Sequence, residues 1–344
     1  MIETKSTIAI TVGDPCGIGP EITAKALSLP EIYDKCNPVV ISDANVMRQA
    51  VKIANVNLKI NPVENLDDCK YELGTIDVFN LKNVDVEQIE FGKVTKLGGE
   101  SSFQYIVKGI NLALEGKVDA VTTGPIHKKA INLAGHKYSG HTEIFADYTK
   151  TKDYCMLLVD KDFRVSHVTT HVSFRQVPDL VKTGRVLKVI QLTNEAIIKM
   201  GIEQPCIAVA GLNPHSGEEG LFGREEIEEI EPAIKEANLM GMHVEGPVPP
   251  DTVFVKLRGG QYDAVVAMYH DQGHIPTKLV GFKYDDKLGK WGSLSGVNTT
   301  LGLPIIRTSV DHGVAFGKAG KGTANPESMI DAIKLAAIMA GKSN

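Results

Sequence analysis

The sequence predicts an α/β fold of about two domains, each built on a mostly parallel sheet. Three observations carry this. Short apolar runs alternate with longer stretches of helical periodicity, the pattern of repeated βαβ units. Several runs stop abruptly at Gly-Pro or at histidine, as buried strands do where their carboxyl ends meet a ligand crevice. The chain has 344 residues, against a usual size of ~100–200 residues per domain.

Composition narrows the classes of function. The formal charge is −5, from 37 Lys and Arg against 42 Asp and Glu, with no basic block, so nucleic acid and anionic membranes are not expected partners. No run approaches the roughly 18–20 apolar residues of a membrane span, and the apolar segment near Ile8 is too short and too early for a signal peptide. Five cysteines (Cys16, Cys36, Cys69, Cys155, Cys206) are odd in number and lack a Cys-x-x-Cys, against a disulfide framework or a thiolate zinc site. A soluble protein of the reducing cytoplasm is the expectation.

In chain order, Thr7 to Val12 reads as a buried strand, and Gly13-Asp14-Pro15-Cys16-Gly17-Ile18-Gly19-Pro20 turns into a helix with Pro20 near its first position. The spacing is not that of a dinucleotide-binding Gly-x-Gly-x-x-Gly. Asn37 to Asp43 and Thr75 to Asn80 are further strands, Ser101 to Glu115 is a helix, and Val118 to Thr123 is a strand closed by Gly124-Pro125. In Gly140-His141-Thr142 a helix begins, where exposed N–H groups suit a phosphate or carboxylate, or where Thr142 simply caps.

Tyr154 to Val159 and Phe163 to His171 form a β-hairpin about Asp160-Lys161-Asp162. Val-Thr-Thr between His167 and His171 favours a strand, in which four residues span about 13 Å. One ion cannot hold both rings, so His171, where the strand gives way, is preferred and His167 is left to packing. Val177 to Met200 is mostly helix, and the strand from Pro205 runs into Asn213-Pro214-His215. The acidic run Glu225 to Glu231 reads as a solvated helix face. Pro249-Pro250-Asp251 is a loop offering a carboxylate. Tyr262 to Ala267 is a strand that breaks at Met268-Tyr269-His270-Asp271-Gln272-Gly273-His274 into a polar, glycine-containing turn leading to Lys278. Lys287 to Ser293, with Trp291, reads as a mobile flap. The last helix has Asn325 as cap and Pro326 at its start.

Three predicted strands thus end in histidine: His171, His215 and His270. A catalytic divalent ion typically takes three protein ligands and keeps one position open. Asp251 and Asp271 are candidates to orient a ring or move a proton. No Gly-x-Ser-x-Gly or Walker loop is present.

Gly-Asp-Pro-x-Gly-Ile-Gly-Pro-Glu, Thr-Gly-Pro-Ile, Gly-His-Thr-Glu, Gly-Leu-Asn-Pro-His, Tyr-His-Asp-Gln-Gly and Gly-Leu-Pro-x-x-Arg-Thr-Ser-Val-Asp-His-Gly occur in that order. From about Ile8 to Ala340 the chain resembles the 4-hydroxythreonine-4-phosphate dehydrogenase family. It is most similar to the branch acting on D-threonate or D-erythronate 4-phosphate, because of the extended Lys278 to Asn298 segment.

The resemblance implies two α/β/α domains with an active-site cleft between them, isocitrate/isopropylmalate dehydrogenase-like. The expected domains are residues 1–126 with 256–344, carrying the cofactor segment, and residues 127–255. It implies His171, His215 and His270 as ligands of one divalent metal ion (zinc, cobalt, manganese or magnesium), in a site completed across a homodimer. Substrate contacts would be His141, Thr142, Lys278, Asn298 and Arg307. Cofactor contacts would be His312, Gly313, Gly320 and Asn325. Phe316-Gly317 replaces the Pro-Asp of isopropylmalate dehydrogenases, leaving NAD or NADP open, and Cys16 departs from the small residue usual in the first turn.

The implied reaction oxidises the substrate's 3-hydroxyl with hydride transfer to NAD(P), then decarboxylates to dihydroxyacetone phosphate. Lys278, Asp251 and Asp271 are candidates for the catalytic base. A metal-dependent aldolase or phosphatase would show no nicotinamide reduction, and a sugar-phosphate sensor would leave the cofactor-like segment unexplained.

Overall fold

The computed structural model describes residues 5–285, 290–294 and 296–341. The chain forms two compact units, Met1–Lys152 with Leu303–Asn344, and Asp153–Gly302.

The first unit opens with β1 (Thr7–Thr11), α1 (Gly19–Ala26), α2 (Pro30–Lys35), β2 (Asn37–Ser42), α3 (Ala44–Ala54), β3 (Lys59–Val63) and β4 (Thr75–Asn80). It continues through α4 (Lys96–Leu114), β5 (Ala120–Thr123), α5 (Lys128–Leu133) and α6 (His141–Tyr148). The second unit comprises β6 (Cys155–Asp160), β7 (Phe163–His167), α7 (Val177–Leu180), α8 (Thr183–Lys199), β8 (Cys206–Ala210), α9 (Glu231–Leu239) and β9 (His243–Val248). It ends with α10 (Val253–Arg258), β10 (Ala264–Ala267), α11 (His270–Gly281), β11 (Phe282–Asp285), β12 (Lys290–Leu294) and β13 (Val297–Leu301). β14 (Ile306–Val310) and α12 (Glu327–Met339) return to the first unit.

In the first unit the strands run β3-β4-β2-β1-β5-β14 with every pairing parallel. β5 is buried at every residue and β1 at all but its first, which a strand achieves only with helices on both faces. The core joins Ile8, Ile10, Val39, Ile41, Ile106, Ile110, Phe145 and Ile333. In the second unit the order is β13-β6-β7-β10-β8-β9; β13, β6 and β7 pair antiparallel, and β7, β10, β8 and β9 pair parallel. Here too β10 is buried throughout. Both units are α/β, as the alternating pattern predicts.

The domain boundaries fall elsewhere than the expected breaks at 126 and 255. Residues 127–152 stay with the first unit because α6 sinks Ile144 and Phe145 into its core. Residues 256–302 stay with the second because β10 is inserted between β7 and β8, and β13 pairs with β6. Strand pairing between residues distant in sequence is what the linear pattern could not display. β3 was not anticipated: Lys59-Ile-Asn-Pro-Val carries a proline, tolerated because β3 is an edge strand.

Two motifs read as turns resolve differently. At the first, Gly13 has φ +78°, and a Cβ there would overlap the Pro125 carbonyl, so the glycine is required by close packing of two strand ends. At the second, the polar stretch after β10 is the first turn of α11, beginning at His270. Gly273 is required there because a Cβ would overlap the His167 ring. The proposed flap is described only in part: residues 286–289 and 295 lie outside the described residues, and the backbone of Trp291 pairs with Tyr284 in the β11–β12 ribbon.

Candidate active site

Within the second unit, the three histidine motifs follow the carboxyl ends of three adjacent parallel strands, β7, β10 and β8. The ladder between β7 and β10 continues past the strands, as Val168 N–H donates to Ala267 O at 2.8 Å and Thr169 N–H to Met268 O at 3.1 Å. The Thr169 hydroxyl donates to the same Met268 carbonyl at 2.8 Å. This carries the chain alongside β10, so that the His171 and His270 rings stand 5.7 Å apart between centroids. Two imidazoles on one ion, each bonded at about 2 Å, have centres on the order of 5–6 Å apart. Asp271 Oδ1 lies 2.7 Å from His270 Nδ1, which leaves Nε2 available and orients the ring, the arrangement carboxylates make beside metal-bound histidines. This pair fits a metal ion.

The three histidines do not converge on one point: the ligand atoms of His171, His215 and His270 are not all within 4.8 Å of one another. His215 begins a run of five residues, His215 to Glu219, with φ between 45° and 82°. Left-handed backbone costs roughly 1–2 kcal/mol per non-glycine residue, so other contacts must hold it. Glu226 braces the chain just before it. Its carboxylate accepts from Leu212 N–H and Asn213 N–H, both at 2.7 Å, and from Asn213 Nδ2 at 2.9 Å. Glu226 is 1% exposed, which corrects the reading of the acidic run as a solvated face: the loop's unpaired N–H groups draw this carboxylate inward. Glu229 accepts from the Thr183 N–H and hydroxyl, each at 2.8 Å, at the start of α8.

Sequence reasoning also missed Gln272. Its side chain accepts from Met268 N–H at 2.6 Å and donates to Gly211 O at 2.8 Å, tying the end of β10 to the root of the His215 loop. Its signal was present, a glutamine inside the His-Asp-Gln-Gly motif.

His167 is fully buried, as its packing assignment anticipated. Burial, then neighbouring His274, pushes its pKa down to about 3. His274 stacks on His270 at 3.6 Å, with Nδ1 2.9 Å from His270 O, a packing position. Lys278 lies on α11 rather than in a loop, two turns beyond His270, with Nζ 4.8 Å from the Phe282 ring centre. Asp251 is exposed between β9 and α10 and makes no side-chain hydrogen bond or ion pair among the described residues. Asn298, on β13, encloses its Oδ1 without a hydrogen-bond partner.

In the first unit, His141 is the first residue of α6 and Gly140 is its cap; no side chain caps the helix, so Thr142 does not. The His141 Nε2 is enclosed without a hydrogen-bond partner. Burial, and next the charge of Arg307, hold the ring neutral, well below the ordinary 6.5. Arg307 is 3% exposed, donates to Thr123 Oγ1 at 2.9 Å, and lies 5.6 Å from the Phe145 ring centre. Burial lowers its pKa to about 9, with Glu143 opposing, and it stays charged at neutral pH. A buried guanidinium beside a helix N-terminus is a setting for an anion.

Of the cofactor candidates, also in the first unit, Gly313 and Gly320 are exposed, and His312 Nδ1 lies 3.0 Å from Gly313 O. Gly320 and Gly17 border a small crevice with Phe91, Ile53 and Pro15. Asn325 Oδ1 accepts from Glu327 N–H at 2.9 Å, but the cap of α12 falls on Pro326, one residue later than expected, and no side chain caps the helix.

The sequence profile described as pyridoxal phosphate biosynthetic protein PdxA matches residues 34–336. A Clostridium botulinum protein named "Putative D-threonate 4-phosphate dehydrogenase" is 47% identical over 98% of both chains. The 4-hydroxythreonine-4-phosphate dehydrogenase of Desulforapulum autotrophicum is 44% identical over 99% of this chain and 97% of its own. The crystal structure of 4-hydroxythreonine-4-phosphate dehydrogenase from Klebsiella pneumoniae superposes with a TM-score of 0.86 at 42% identity, covering 99% of each chain.

Proposed function

The chain belongs to the PdxA family of dehydrogenases, and from that premise we propose that it oxidises D-threonate or D-erythronate 4-phosphate with NAD(P) and a divalent metal ion. The observation that carries the reading is the full-length relation to the Clostridium botulinum protein, joined to three histidine motifs on adjacent strand ends. The 3-hydroxyl loses its proton to a base while carbon 3 gives up its hydrogen as hydride to the nicotinamide, leaving a ketone at carbon 3. The resulting β-keto acid then loses carbon dioxide, giving dihydroxyacetone phosphate.

His171, His215 and His270 would hold the ion, which supplies Lewis acidity to the reacting oxygen when bound. Asp271 fixes the His270 tautomer through its 2.7 Å contact. Arg307, with His141 and Thr142 at the head of α6, attracts the substrate's anionic groups; Lys278 and Asn298 contribute further polar contacts. Lys278, Asp251 and Asp271 remain the candidates for the base. His312, Gly313, Gly320 and Asn325 would contact the cofactor. Large apolar side chains exposed on the second unit, Phe174, Leu221, Val255 and Leu279, support a homodimer that completes the metal site.

Purified protein with a divalent metal, NAD or NADP and either four-carbon acid phosphate should generate reduced nicotinamide. Failure with both acids and with 4-hydroxythreonine 4-phosphate would sink the reading. Activity on 4-hydroxythreonine 4-phosphate alone would favour the second reading, which the Desulforapulum relative supports.

A further inference from the structure

Cys206 and His243 are the first residues of β8 and β9 and are register partners in their parallel pairing. Glu245 follows two residues later on β9, and so points from the same face. Cys206 Sγ lies 3.9 Å from His243 Nε2, and that nitrogen lies 3.7 Å from Glu245 Oε1. Among the described residues, this is the one group of three His, Cys or acidic side chains whose donor atoms all lie within 4.8 Å of one another.

We propose that Cys206, His243 and Glu245 form a second divalent metal site, suited to a thiophilic ion such as zinc, with a fourth position open to water. Tetrahedral zinc, bonded at about 2.3 Å to sulfur and about 2.0–2.1 Å to nitrogen and oxygen, spaces these donors on the order of 3.3–3.6 Å apart. Side-chain adjustments of a few tenths of an ångström bring the sulfur–nitrogen and nitrogen–oxygen pairs to those separations, and all three donors already lie within 4.8 Å. The scaffold is already fixed: Cys206 N–H donates to Asp263 Oδ2 at 2.7 Å, and Asp263 N–H donates to Cys206 O at 2.8 Å. The Tyr262 hydroxyl donates to Glu245 Oε2 at 3.1 Å, which orients the carboxylate and leaves Oε1 for the ion.

The field has the right sign. Burial, then the carboxylates of Glu245 and Asp263, raise the Cys206 thiol; a dication reverses that penalty, and the Sγ–H proton leaves to solvent as the metal–sulfur bond forms. Cys206 is half-buried, while His243 and Glu245 are exposed, so an ion can enter.

The position separates this site from the histidine motifs of the same unit. Cys206 stands at the amino end of β8 and His215 follows its carboxyl end, so the two sets of donors lie at opposite ends of the sheet, with at least roughly 13 Å of strand between them. β9 is an edge strand whose ladder to β8 shifts register between Ala208 and Ala210. A metal bridging Cys206 to His243 and Glu245 would clamp that edge.

Cobalt(II) titration of the full-length protein under a non-chelating reductant tests this. A sulfur-to-cobalt charge-transfer band should grow in the near ultraviolet, saturate by about two equivalents, since the three-histidine set takes cobalt as well, and bleach on adding zinc. The three-histidine set has no thiolate and adds nothing there. Cys206→Ser should abolish the band without changing the circular dichroism or dehydrogenase turnover, and His243→Ala should weaken cobalt binding about tenfold or more. No band, or a band that survives Cys206→Ser, overturns the proposal.

Discussion

Glu226 holds the approach to the His215 turn: it gathers the N–H groups of Leu212 and Asn213, just before the five left-handed residues. Glu226→Gln should lower stability by about 1–3 kcal/mol in urea titrations and weaken binding of the active-site metal by roughly 10–100-fold. Glu228→Gln, on the exposed partner of Arg224, should leave both unchanged. Wild-type metal affinity in the Glu226 variant would detach the carboxylate from the ligand. The acidic run was legible as helical, but nothing in Glu225 to Glu231 marked which glutamate turns inward, since that depends on where the loop before it leaves N–H groups unpaired.

Buried His167 gives a pH test at the same scale. Its pKa falls from 6.5 to about 3 on folding, so between those values the unfolded chain binds more protons and stability rises with pH. As pH falls through this window, His167 should remove up to about 1.4 kcal/mol per unit. Asp14, raised by burial from 3.8 to about 6, acts in the opposite sense across its own window, because there the folded chain binds more protons. Replacing His167 by Gln should flatten the acid limb of chelator-treated protein; an unchanged slope would mean that His167 takes up a proton in the folded state.

At the scale of elements, the site depends on three strand ends staying level. β7 and β10 are held by the continued ladder at Val168 and Thr169, and β10 is tied to the His215 loop by Gln272. Gln272→Leu leaves the Met268 N–H and Gly211 carbonyl unpaired, at about 1–3 kcal/mol each. It should lower kcat and metal occupancy together, measured by turnover and metal analysis, while folded secondary structure persists. Unaltered metal content would contradict that coupling.

Strands β1, β2, β4 to β8 and β10 could be read from apolar runs because burial on both faces makes them continuous in sequence. The start of α11 could not, since His-Asp-Gln-Gly-His carries the residue types of a turn. Gly273 is there for the His167 ring, and only the packed structure shows that. The same limit hid Cys206, His243 and Glu245, which strand register unites across 37 residues of sequence.

For the whole molecule, the two-unit α/β architecture followed from alternating elements, whereas the unit boundaries at 152 and 302 followed from strand pairings that no local pattern encodes. No helix of the described residues is long and apolar enough to cross a membrane. The proposed dimer predicts a sedimentation mass of twice the 37.2 kDa chain; a monomer with full turnover would contradict a metal site completed between copies.

The central claim is oxidation at carbon 3 followed by loss of carbon 1. It is tested most directly with D-threonate or D-erythronate 4-phosphate labelled with carbon-13 in the carboxylate. Labelled carbon dioxide, reduced nicotinamide and dihydroxyacetone phosphate should appear in equal amounts, and all should vanish in His270→Ala. Nicotinamide reduction without labelled carbon dioxide would contradict the account.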